Sequence, residues 1–205
     1  MIKSFKIGQN SLEVSQIIVK NCPEIIQLKL ISHKVEKNWR QVNSTFSSKT
    51  KNILRGFNHD KPIKEIVYDR DRFLGLNLAG LEKLAENEAW SLTSKVLCAG
   101  NVYKHIPMMN FHPNNIDLRV IKKTLEYICG KKSGCLLDSG RFFHYYGNFL
   151  LTNDKWIKFM AEFLMPCVVV SPRYIGHRLH DGYCTLRLTT EKLYKPKLPE
   201  VIEVL

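Results

Sequence analysis

The stretch LLDSGRFFHYYG, residues 136–147, places Ser139, Arg141 and His144 on the two sides of a turn. A hydroxyl, a guanidinium and an imidazole beside a glycine turn are the groups that hold a phosphate. The cationic donors give charge-assisted hydrogen bonds, and the turn exposes backbone N–H groups. In an extended strand Phe142, His144 and Tyr146 point to one side, Phe143 and Tyr145 to the other. Core packing accounts for the aromatic residues but leaves Arg141 and His144 in need of polar partners. A second set lies in SPRYIGHRLHDGYCTLRLTT, with Arg173, His177, Arg178, His180 and Arg187. Arg187 sits between Leu186 and Leu188, so on a strand it faces the same way as Thr185 and Thr189. There it suits a bidentate phosphate contact, and equally an outward arginine on an ordinary half-exposed strand.

Metal chemistry is poorly provided for. His177 and His180 would share a helix face, but no acidic neighbour completes a ligand set. His112 and His144 supply only two nitrogens. Asp138 and Asp181 are the nearest carboxylates, and both adjoin turn sequences, DSG and HDG, where their ordinary role is turn geometry. The six cysteines (Cys22, Cys98, Cys129, Cys135, Cys167, Cys184) are scattered without CxxC spacing. They read as buried thiols in a reducing cytoplasm rather than as a zinc site or disulfide framework.

The chain has 205 residues, 44% of them hydrophobic, and a formal net charge of +12. Such a charge favours phosphate-rich partners, DNA, RNA or nucleoside triphosphates. It is concentrated in residues 29–61, which carry eight Lys or Arg against two acids. The segment reads as loops between short helical pieces, with Lys34, Lys37, Arg40, Lys49, Lys51 and Arg55 as nucleic-acid contacts. Trp39, Tyr145 and Tyr146 are candidates for stacking on bases. No apolar run is long enough to span a membrane, and the N-terminal stretch lacks the apolar core of a secretory signal.

Residues 12–20 and 62–69 read as strands, and residues 80–100 as a helix turning to strand near Val96. From residue 105 the pattern sharpens. HIPMMNF is a strand, IDLRVIKKTLEYIC a helix stopped by Gly130, and GCLLDS with RFFHYYG a hairpin. TNDKWIKFMAEFLM is a second helix, and PCVVVS and YCTLRLTT are further strands. The expected fold is α+β: an RRM-like split β-α-β sheet over residues 101–205, behind an α/β unit over residues 1–100. Two helices would pack on one sheet face, the other remaining open unless the N-terminal half covers it.

Three stretches, IPMMNFHP, DSGRFFHYY and VVVSPRYIGHRLHDGYCTLRLTT, together resemble the archaeo-eukaryotic primase (primase–polymerase) superfamily over about residues 100–192. The resemblance implies an RRM-like catalytic half. The family's Asp-x-Asp would fall on Asn110 and His112, its hairpin Ser-x-His motif on Ser139, Arg141 and His144. The third carboxylate would fall on Ser171, with Arg173 as the other position, and the downstream arginine on Arg187. The phosphate-binding side is kept and the metal side is not. Two-metal phosphoryl transfer gathers Mg2+ or Mn2+ with anionic oxygens. Asn110, His112 and Ser171 supply none.

The expectation is therefore a nucleotide- or nucleic-acid-binding, primase-like protein with a degenerate metal site. It would lie in the cytoplasm, off the membrane, within a replication, repair or defence complex. An active primase-polymerase would need Asp138 or Asp181 in the same cleft as His144. A protein-interaction module would instead use the histidines for packing.

Overall fold

The computed structural model describes residues 4–34, 62–83, 88–111, 117–130, 133–166, 169–190 and 196–205. Lys37, Trp39, Arg40, Lys49, Lys51, Arg55, His112 and Cys167 lie outside the described residues.

The chain opens with helix α1, Ser11–Asn21, where a strand was expected. Its start is fixed by a capping box. The Asn10 side chain accepts from the Leu12 and Glu13 amides at 3.0 Å each, and the Glu13 carboxylate accepts from the Asn10 amide at 2.8 Å. Val14, Ile17 and Ile18 then line one buried face. Capping and i, i+3, i+4 spacing thus outweigh the strand preference of the β-branched residues.

One antiparallel sheet contains β1 (Ile25–Lys34), β2 (Lys64–Asp69), β3 (Glu88–Cys98) and β4 (Val102–His105), in the order β2-β1-β3-β4. Helices α2 (Arg70–Leu74) and α3 (Leu78–Lys83) connect β2 to β3. Two expectations are corrected here. Residues 29–34 belong to β1 rather than to loops and short helices, with Lys34 its last residue. The helix expected from residue 80 ends by Lys83, and β3 starts at Glu88 rather than near Val96. Most of β3 is buried on both faces, which removes the alternation that marks a half-exposed strand.

The second antiparallel sheet contains β5 (Met108–Phe111), β6 (Gly134–Asp138), β7 (Phe143–Gly147) and β9 (Glu200–Val204), ordered β5-β7-β6-β9. Helix α4 (Leu118–Cys129) joins β5 to β6, and α5 (Asn153–Glu162) follows β7. Both pack on the face bearing Phe111 and Tyr145. The Tyr145 hydroxyl meets the Cys129 sulfur at 3.5 Å, and Phe111 meets Phe163 edge-on at 5.6 Å. Tyr145 and Tyr146, the stacking candidates, are 1% and 0% exposed and belong to the core.

The strand expected at residues 166–171 is corrected as well. Its described end, Val169–Ser171, forms a bend leading into helix α6, Pro172–Asp181. Val169 and Val170 are buried, so the apolar run records burial rather than strand pairing. Strand β8, Thr185–Arg187, then pairs with β3 in the first sheet. Residues 8–11 in turn bond to Pro199 and Val201, along β9 of the second sheet. The two sheets share one hydrophobic core.

Ser94 marks where β3 gives up one neighbour for another, pairing with β8 through Ser91–Thr93 and with β4 through Lys95–Cys98. Its hydroxyl accepts from the Cys184 amide at 2.9 Å and meets His105 Nδ1 at 3.2 Å. His105 is fully buried and stacks on Trp156, with 4.4 Å between centroids. Burial, followed by the charge of Lys95, brings its pKa from 6.5 down to about 4, against a bond from Asn153. The folded state thus binds fewer protons than the unfolded one between those values. Stability from this group is complete above pH 6.5 and is lost as pH falls toward about 4. The full effect is up to about 3 kcal/mol. Urea denaturation of wild type and His105→Phe at pH 7 and pH 4.5 checks this: the variant should lose less stability on acidification. Equal losses would place the acid sensitivity elsewhere.

Candidate functional site

Residues paired directly across neighbouring strands point to the same face. Register pairs Asn110 with His144 and His144 with Leu137; two residues along, it pairs Met108 with Tyr146 and Tyr146 with Cys135. These residues occupy the face of the second sheet opposite α4 and α5. Ser15 of α1 and Arg187 of β8 lie close to Tyr146. The face left open in the sequence reading is therefore covered in part by α1. His144 is 5% exposed. The Asn110 carbonyl oxygen is buried and has no hydrogen-bond partner among the described residues.

The other expected residues are placed differently. Ser139 is buried, and its hydroxyl and amide both donate to the Phe142 carbonyl, at 2.7 and 2.9 Å, closing the turn between β6 and β7. Arg141 is exposed at the hairpin tip, with its guanidinium 5.4 Å from the Phe142 ring centroid. Ser171 is the N-cap of α6, but its side chain makes no capping bond. Arg187 is 5% exposed and donates to the carbonyls of Thr189, Ser139 and Lys197, at 2.5, 3.1 and 2.8 Å.

The two nearest carboxylates are engaged by basic side chains. Asp138 pairs with Phe143, on the face opposite His144. It accepts from the Gly140 amide at 2.7 Å and from Lys197 Nζ at 2.6 Å. Burial acts to raise its pKa, but Lys197 and the Gly140 amide outweigh burial and hold the carboxyl below its ordinary value. Asp181 closes α6 in an ion pair with Arg178 at 3.0 Å, and Arg178 also donates to Thr185 at 2.8 Å. Among the described residues no group of three His, Cys, Asp or Glu is arranged to hold a metal ion. The donors that do converge, an amide and an imidazole, do not fit a divalent-cation pair that needs anionic oxygens.

Sequence reasoning missed Tyr174. Its position on α6 brings its hydroxyl to Cys184 and within electrostatic reach of the Tyr146 hydroxyl, with Arg178 5.7 Å from the ring centroid. Burial raises the pKa of both tyrosines well above the phenolic value, so each hydroxyl keeps its proton. The serine–proline start of α6 was the available signal, since proline is favoured in the first helical turn.

Two antiparallel sheets with helices packed against them, and a hairpin histidine in register with a strand-borne asparagine, make this an α+β protein. The chain belongs to the archaeo-eukaryotic primase (AEP-like) family: the family model described as archaeo-eukaryotic primase 1D-like matches residues 75–200. Comparison with curated proteins and with solved structures found no match. No helix among the described residues is long and apolar enough to cross a membrane.

Proposed function

We propose that this chain is a primase-like module that binds nucleotide or nucleic acid through a site whose metal-binding half is degenerate. The observation that carries the reading is the Asn110–His144 pair, in register on one partly covered face, with the buried side-chain carbonyl oxygen of Asn110 lacking a partner among the described residues. A buried acceptor in that state calls for a donor from a ligand or from water. The family match supports nucleotide chemistry, and the displaced carboxylates argue against metal-dependent polymerisation. The RRM-like reading of residues 101–205 is supported by the strand order β5-β7-β6, first-third-second, and by two helices on one face. The division near residue 100 remains part of this reading, as do a cytoplasmic setting and protein partners in a replication, repair or defence complex. Arg141, exposed at the hairpin tip, would contact a nucleic-acid strand passing over the turn. Lys34, Lys37, Arg40, Lys49, Lys51 and Arg55 are proposed as further nucleic-acid contacts on the strength of their charge alone.

The test is binding of a fluorescent ATP analogue in EDTA and in Mg2+. Affinity should differ little between the two conditions. His144→Gln should weaken it about tenfold or more, the loss expected for a hydrogen bond to a charged group. A Mg2+-dependent polymer made by wild type and abolished in Asp138→Asn or Asp181→Asn would replace this reading with an active polymerase.

A further inference from the structure

We infer that Arg187 is a positioning residue, which sets the His144 hairpin without touching the ligand; this rests on the function proposed above. Either bidentate fork of a guanidinium, end-on or side-on, needs a hydrogen of Nη2. Both Nη2 hydrogens go to backbone carbonyls, Ser139 at 3.1 Å and Lys197 at 2.8 Å. A phosphate would have to displace one of them to be held in the usual way. Nη1 donates to Thr189, so one side chain joins the end of β8, the β6–β7 turn and the segment leading into β9.

These tethers converge on the turn that starts β7. Ser139, whose carbonyl Arg187 holds, uses its own amide and hydroxyl to fix Phe142. Phe142 immediately precedes β7, where Phe143 pairs with Phe111 and His144 with Asn110. Lys197 secures the turn from the other side by bonding Asp138 at 2.6 Å. Gly140 has φ +89°, and a Cβ there would come within 3.0 Å of the Lys197 Cβ. The segment at Lys197 therefore lies against the turn, and Arg187 ties both to the first sheet. Release of the guanidinium frees the start of β7 and changes where the imidazole lies relative to Asn110.

Arg187→Lys keeps the charge but cannot reach three carbonyls. Two measurements test it: binding of a fluorescein-labelled single-stranded oligothymidylate in EDTA across a salt series, and imidazole NMR of His144 in the ligand-free protein. Affinity is expected to fall about tenfold, with the slope of log K against log salt unchanged and the His144 resonances moved. Loss of one phosphate contact would instead lower that slope by about 0.7. Arg187→Met removes the charge and makes that comparison strict. A lowered slope in Arg187→Met, or unchanged affinity in both variants, overturns the inference. If wild type binds the ATP analogue but not the oligonucleotide, the tenfold loss is read with that probe. If it binds neither, the proposed function fails. The imidazole spectrum then decides the inference alone, and unmoved His144 resonances overturn it. Should both Arg187 variants fail to fold, Gly140→Ala displaces the Lys197 segment with the arginine in place. It should move the same resonances, and unmoved resonances overturn the inference.

Discussion

Raising salt from 50 to 200 mM is expected to weaken binding to a single-stranded oligonucleotide about fifty-fold. The figure assumes about four phosphate contacts, each adding about 0.7 to the slope on single strands. The net charge of +12 makes several such contacts reasonable for a chain of this size. Fluorescence anisotropy over the salt series measures the slope. Substituting Mg2+ for EDTA at constant ionic strength should leave affinity nearly unchanged, because Asp138, the carboxylate that begins the hairpin turn, is held by Lys197 on the face away from His144. Binding absent even at 50 mM salt would favour the interaction-module reading. A large gain on adding Mg2+ would show that anionic ligands beyond those described assemble at the site.

Gly134→Ala is expected to lower the melting temperature by about 5–10 °C. A Cβ at residue 134 would lie 2.5 Å from Tyr145 Cε2, 2.9 Å from its hydroxyl and 2.8 Å from the Tyr146 carbonyl. Tyr145 is 1% exposed and bonded to Cys129, and the Tyr146 carbonyl is backbone, so neither yields readily. Forcing an extra methyl into such a core costs about 1–3 kcal/mol. At this chain length each kcal/mol lowers the melting temperature by about 2–4 °C. Gly134 pairs with Gly147 in the ladder that carries His144, so the substitution should also weaken nucleotide binding. Calorimetry of the variant measures the first effect, and an unchanged transition would mean that β6 shifts along β7 without cost.

The local sequence determined much of the second half. DSG specified the hairpin turn. Apolar spacing in IDLRVIKKTLEYIC specified α4, and Gly130, at φ +64°, ends it. The primase resemblance identified the Asn110 and His144 strands before any pairing was known. It was less informative where burial on both faces removed alternation, as in β3, and where β-branched residues disguised α1 despite its capping box. Pairing register decided what composition leaves open: Asn110 and His144 share a face, while Asp138, six residues from His144, sits on the other. A turn lies between Asp138 and His144, so counting alternation through it cannot assign their faces; only the partner strand can. The role of Arg187 also depended on tertiary structure. Its sequence position marked a strand arginine between two leucines, but its partners are backbone carbonyls from distant segments, and carbonyls carry no signature in the sequence.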